Sequence, residues 1–343
     1  MRIRSIAAAL GVAVVAPAML AACGTSDPGT AGNDAPAANA SAECADDTTA
    51  TSTEPVEVTD ALGRTVSLDA PAKRVAVLEW QQIEDVLTLC LTPVAVADAE
   101  GYRTWDTAET LPDGVADVGG RGEPNLDALF AADPDLVIVE ATAVDDPVIT
   151  QLAEYDIPVL ATRGADTADP VQNMVDTFVL IAESVGRAER ADAVVADFRA
   201  SVDDARQAIT EADLPQTDFV YFDGWVQGGN VAIRPFGQGS LIGELGEAVG
   251  LTNAWTGEVD AVYGLGQTDV EGMTTVGDAL LFHTGTVDSA GGVMTELQRN
   301  DIWNSLPAVA EERAYAFPAG IWTFGGPRSS QQVLDAYVDI LTN

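Results

Sequence analysis

The stretch 171–210 constrains this chain most. It contains no proline and one glycine, Gly186. Within it Val195, Phe198, Val202, Ala205 and Ile209 step by three, four, three and four, which places one apolar stripe along a helix. Asp197, Arg199, Asp203, Asp204 and Arg206 fill the other face, and Pro215 ends the pattern. A helix of this length divides the chain into an N-terminal and a C-terminal part.

Both flanks alternate short apolar runs with helical patterns. Before the helix the runs lie at 75–78, 94–97, 136–139 and 159–161, with helix-like spacing at 82–90 and 125–131; Pro134 and Pro158 stop the chain just ahead of two of these runs. After it the runs lie at 219–222, 280–282 and 315–317, with helical patterns near 241–249 and 330–341. Alternation of this kind argues for parallel sheets covered by helices. The chain therefore reads as α/β: two α/β lobes joined by one long helix, an N-terminal lobe at 56–186, the connecting helix at 187–212 and a C-terminal lobe at 213–343. A single large α/β domain is the alternative the same pattern allows.

The first 55 residues have another texture. Arg2 and Arg4 precede an apolar run from Ile6 to Leu20, followed by Leu20-Ala21-Ala22-Cys23. A basic start, an apolar middle and small residues before a cleavage point describe a secretory signal. The cysteine directly after the small residues is similar to the bacterial lipoprotein signal, in which that cysteine is lipidated and becomes the new first residue. Gly11 and Pro17 break the run, which is short for a membrane span. The expectation is a signal peptide at 1–22, a lipidated Cys23, and a disordered tether over 23–55, because 24–54 has no aromatic and almost no large aliphatic residue to offset the cost of ordering. An ordinary signal with a chance cysteine is the alternative. The domain is expected on the outer face of the cytoplasmic membrane, periplasmic or at the cell surface, held there by lipid only.

Charge and rare residues exclude several classes. Arg2 and Arg4 are the only charges in 1–22, so removing that segment takes the formal charge from −38 to −40. With Lys73 as the one lysine, no basic patch exists to replace phosphate counterions, and nucleic acid is not a partner. The lone His283 excludes histidine-rich metal sites. Gly-x-Ser-x-Gly elbow, phosphate loop and Cys–His pair are missing from the sequence, which points away from an enzyme. Outside the cytoplasm Cys44 and Cys90 can pair or remain two free thiols.

Several phrases occur in order: Val58-Thr59-Asp60-Ala61-Leu62-Gly63-Arg64, Arg74-Val75-Ala76-Val77-Leu78-Glu79-Trp80, Tyr102-Arg103-Thr104-Trp105, Gly119-Gly120-Arg121-Gly122-Glu123-Pro124-Asn125-Leu126-Asp127, Gly250-Leu251-Thr252-Asn253-Ala254-Trp255 and Phe324-Gly325-Gly326-Pro327. Over about 56–343 this series resembles the ferric-siderophore-binding proteins of ABC importers, a class III periplasmic-binding-protein family, and within it the ferric-hydroxamate branch. The resemblance implies a stiff two-lobed receptor with a shallow cleft, a ferric siderophore as ligand, no cofactor, iron bound only through the chelate, and an ABC permease with its ATPase as partner; the chain is expected to be a monomer.

Carried over by motif, the resemblance places ligand contacts on Trp105 and Arg121 in the first lobe and on Trp255, Tyr263 and Trp322 in the second. A guanidinium offers a fixed fork of donors to chelate oxygens, and aromatic faces cover an organic backbone at small entropic cost. Core or rim packing is the plainer role for the aromatics, and a surface ion pair for Arg121. The branch also has a tyrosine shortly after the run 136–139; here that position falls near Val144. Arg103, Arg234 and Arg328 add positive potential that suits a citrate-like or catecholate chelate. Permease docking falls on Asp127 and Glu271, although a carboxylate in a first helical turn also stabilises its helix by about 0.3–1 kcal/mol. Within the class a cobalamin or haem receptor is the alternative, haem through Tyr102 or Tyr263; outside it, a surface enzyme acting on the iron chelate.

Overall fold

The computed structural model of the chain describes residues 42–285 and 292–342. The expected signal peptide and Cys23 lie outside the described residues.

The chain enters its fold through a hairpin, β1 (Val56–Thr59) and β2 (Thr65–Leu68), antiparallel. Asp60 shapes the turn: its carboxylate accepts from the Leu62 and Arg64 amides at 3.0 and 2.9 Å and pairs with the Arg64 guanidinium at 2.6 Å. The first parallel sheet comes next, from β3 (Val75–Val77), β4 (Ala95–Val96), β5 (Ala116–Asp117), β6 (Leu136–Glu140) and β7 (Val159–Thr162), in the order β5-β4-β3-β6-β7. Its central strands are buried on both faces, which is why they read as unbroken apolar runs rather than alternating ones. Helices Trp80–Thr88, Leu126–Ala131 and Pro147–Leu152 are among its crossovers.

Helices Pro170–Ser184 and Ala188–Glu211 then lead out of this sheet. The glycine-poor stretch is thus two helices, broken at Gly186, whose φ is +72°. A β-carbon there would lie 2.9 Å from both Pro71 and the Ser52 carbonyl oxygen, so the break needs glycine for its conformation and for space. The 24-residue second helix buries Val194, Val195, Phe198, Ala205 and Ile209, the stripe expected from the spacing, with Val202 partly buried beside it.

The second sheet contains β8 (Asp218–Gln227), β9 (Asn230–Phe236), β10 (Thr252–Asn253), β11 (Leu280–His283) and β12 (Ala314–Ala316). The parallel order is β10-β8-β11-β12, and β9 pairs antiparallel with the far half of β8. Helix Pro327–Thr342 closes this half: Tyr337 meets the rings of Phe219 and Phe282 at 5.7 and 5.2 Å.

Glu84 joins the two halves. It is fully buried on helix Trp80–Thr88, yet its carboxylate accepts from the amides of Gly326, Arg328 and Ser329 and from the Ser329 hydroxyl at 2.6–3.0 Å. A carboxylate from the first sheet's helix therefore caps the N-terminus of the last helix, where the unpaired amides and the helix dipole both favour an anion.

The expected disordered tether is corrected over 42–55, the part of it that lies among the described residues. Residues 42–55 are laid against the body. Helix Ala42–Ala45 carries Cys44, which forms a disulfide with Cys90, Cα–Cα 5.4 Å. Arg187 pairs with Asp47 and donates to the Thr49 carbonyl at 3.1 Å and the Thr51 hydroxyl at 2.9 Å; Arg190 and Arg328 both reach Glu43. Composition misleads here because it weighs apolar surface alone. Guanidinium groups and one covalent bond hold this strap instead.

Candidate functional site

In open parallel sheets, loops leave a crevice beyond the carboxyl ends of the strands where the strand order reverses. In the first sheet that point lies between β3 and β6, in the second beside β8. Residues from both points line one cleft of about 470 Å³. Glu79 and Trp80 leave β3, Glu140 ends β6, Asp223 lies on β8 just past its parallel pairing, and Thr284 comes directly after β11.

The cleft has an aromatic wall. Trp322 is its hub, with ring centroids 4.8 Å from Trp80, 6.5 Å from Trp105 and 5.2 Å from Phe324. Tyr263 extends the wall, 5.5 Å from Phe324. Edge-on packing of this type holds rings in place while leaving faces available to a guest. The segment carrying Trp322 and Phe324 runs directly into the helix end that Glu84 caps, so that buried carboxylate positions the hub.

Charge enters the cleft as matched pairs. Arg121 pairs with Glu79 and lies 3.8 Å over the Trp80 ring. Arg234 donates from Nε to Asp223 at 2.8 Å and makes a second, parallel contact from Nη2. The Tyr263 hydroxyl of the second lobe donates to Glu140 of the first at 2.5 Å. Burial raises the Glu140 carboxyl above its ordinary range, and the Tyr263 hydrogen bond opposes that rise; burial also raises Asp223 against its Arg234 pair, and raises the Tyr263 hydroxyl. Gly164 makes room for Glu140: a β-carbon there would lie 2.3 Å from its carboxyl carbon.

The structure brings Trp105, Arg121, Tyr263 and Trp322 together in the cleft, with Arg234. It does not bring Trp255 there. Trp255 is 7% exposed, in the second lobe's core, its ring against the positions of Gly237, Gly257 and Gly266. Arg103 is exposed on helix Ala99–Trp105, donating to the Ala99 and Pro112 carbonyls outside the cleft, because it sits between Tyr102 and Trp105 on the helix. Arg328 is engaged by Glu43 and Gln331. Tyr102 is buried and donates to the Glu109 carbonyl at 2.8 Å, so it is no haem ligand. Asp127 is exposed in the first turn of helix Leu126–Ala131, and Glu271 is exposed just before the 3₁₀ turn Gly272–Val276. Val144 is 59% exposed. Among the described residues no His, Cys, Asp and Glu group is arranged to hold a metal, and no helix is long and apolar enough to cross a membrane.

Sequence reasoning missed Glu79, Trp80, Glu140, Asp223 and Phe324. Four of these stand one or two places after an apolar run. The rule that ligands collect beyond strand ends was available to find them.

The periplasmic binding protein family profile matches residues 75–320. The chain is 25% identical over 274 residues to the iron(3+)-hydroxamate-binding protein FhuD of Escherichia coli, covering 79% of this chain and 86% of the relative. It is 25% identical over 276 residues to the Fe(3+)-citrate-binding protein YfmC of Bacillus subtilis, covering 79% and 81%. Among solved structures it is similar to siderophore-binding FhuD from Vibrio cholerae bound to Fe3+-Desferal, with a TM-score of 0.65, 22% identity, and coverage of 79% of this chain and 98% of that one. Two sheets whose switch points line one cleft, and a profile match over most of the chain, make this protein a member of the periplasmic binding protein family.

Proposed function

We propose that this chain is an extracytoplasmic solute-binding lipoprotein that captures a ferric siderophore and delivers it to an ABC permease for iron uptake. It supplies no chemistry of its own. The observation that carries the reading is the cleft between the lobes, with Trp80, Trp105, Trp322 and Phe324 on one wall and two fixed guanidinium groups beside them. Its size and mixed lining suit an organic chelate that brings its own iron. The relatives are named for ferric hydroxamate and ferric citrate, which supports the ligand class.

The proposal extends to three finer points. Cys23 anchors the mature chain by lipid. Asp127 and Glu271, exposed and on different lobes, dock the permease. The receptor works as a monomer. Titration of the purified domain with ferric chelates, read by tryptophan emission, tests the central claim. Saturable quenching is expected with at least one chelate, because three tryptophans line the cleft. Flat emission and no heat of binding across hydroxamate, catecholate and carboxylate chelates would overturn it.

A further inference from the structure

Both cations in the cleft are already neutralised. Arg121 is paired with Glu79, and Arg234 is held by Asp223 through two parallel contacts. A third carboxyl, Glu140, accepts its hydrogen bond from the neutral Tyr263 hydroxyl. Among the described residues the lining therefore contains two guanidinium groups against three carboxyl groups, and no other basic side chain. The chain as a whole has a formal charge of −38, so the surrounding field also repels anions.

Net charge is also what separates the classes of ferric chelate. Three monoanionic hydroxamates balance Fe3+ and give a neutral complex; a pendant ammonium makes it +1. Three dianionic catecholates leave −3. Arg121 engages Glu79 through Nη1 alone, so a trianionic chelate that uses its other N–H groups must sit beside the Glu79 carboxylate in a half-buried site, where like charge repels it and the guanidinium charge is already balanced. A neutral chelate meets no such repulsion. A cationic one gains an acceptor in Glu140.

On the reading of the cleft as a ferric-chelate site, we propose that it selects by net charge: it takes complexes of charge 0 or +1, with Glu140 receiving the cationic group, and rejects trianionic ones. Glu79 and Asp223 are the residues that impose the rejection, because each holds a guanidinium that an anionic chelate would otherwise use.

The test compares three probes by fluorescence quenching and calorimetry on the full mature domain: the ferric complex of a linear trihydroxamate with a terminal ammonium, the same complex acetylated on that amine, and a ferric tricatecholate. Wild-type protein is expected to bind the first at least as tightly as the second, and the third at least a hundredfold more weakly. Glu140→Gln should erase the preference for the ammonium form. Glu79→Gln and Asp223→Asn, each freeing one guanidinium, should tighten tricatecholate binding at least tenfold. Equal or tighter binding of the tricatecholate by wild type would overturn the proposal while leaving the chelate reading intact, as would an unchanged ammonium preference in Glu140→Gln. Absence of binding by any probe to a folded protein would overturn both.

Discussion

The disulfide Cys44–Cys90 closes a loop of 46 residues in sequence separation. Loop-closure entropy of that length is about 13 cal/mol/K, or about 4 kcal/mol at room temperature. For a body of about 300 residues the unfolding entropy near the midpoint is about 0.6 kcal/mol/K, so removing the bond should lower Tm by about 6 °C. The perturbation is the double change Cys44→Ser and Cys90→Ser, which avoids leaving a reactive thiol. Scanning calorimetry of oxidised wild type, reduced wild type and the double variant should place the last two together and below the first. Ligand affinity should remain within twofold, since neither cysteine lines the cleft. A Tm for the double variant within 2 °C of the oxidised protein would refute the reasoning. Arg187, Arg190 and their carboxylate partners would then suffice to hold the strap.

The other expectations concern the cleft, the core and delivery. Arg121→Ala should weaken chelate binding at least tenfold, about 1.4 kcal/mol, by titration; unchanged affinity would remove it from the site. Trp255→Ala should cost about 3–5 kcal/mol of stability in denaturant unfolding, as a large core truncation does, while Trp255→Phe leaves affinity nearly unchanged. Reversing Asp127 and Glu271 together to lysine should leave chelate affinity intact and lower uptake more than either single change, because each carboxylate would then face a like charge; normal uptake by the folded double variant would refute docking. Glu109 is pushed up to about 7, first by burial and then by the Glu84 charge. Its folded form holds the proton more tightly than the unfolded one, so its stabilising contribution is present at low pH and is lost as pH rises from about 4.5 through about 7. Wild-type Tm should fall across that window, and Glu109→Gln should flatten the fall; parallel curves would exclude Glu109.

Much of the fold was legible because burial on both faces writes continuous apolar runs. Every expected run became a strand, and the three-four spacing of 195–209 became the buried stripe of helix Ala188–Glu211. Short edge strands β5 and β10, of two residues each, carry no periodicity to detect. The antiparallel β9 buries alternate residues from Val231 to Pro235, but Ala232 and Pro235 blur that alternation in the sequence. The site was half legible. The family resemblance placed Trp105, Arg121, Tyr263 and Trp322 where the structure has its cleft, but could not distinguish Trp255, an aromatic packed against glycines in the core, from an aromatic facing the cleft. The carboxylates escaped notice because an anionic guest calls for positive charge. Pairing across strands and lobes, which no local pattern encodes, decides what those arginines offer.

The strap also determines where tension enters the molecule. With the chain anchored at Cys23, as proposed, any pull through the tether reaches Cys44 and passes through the covalent bond to Cys90, at the end of helix Trp80–Thr88. The segment 45–55 and the β1–β2 hairpin lie outside that load path. Without the bond, the same pull would peel Asp47 from Arg187 and then unzip β1 from β2 from the Val56–Leu68 end, one hydrogen bond at a time. Under the proposed anchoring, a pull on the N-terminal side of Cys44 would thus leave the N-terminal hairpin unloaded.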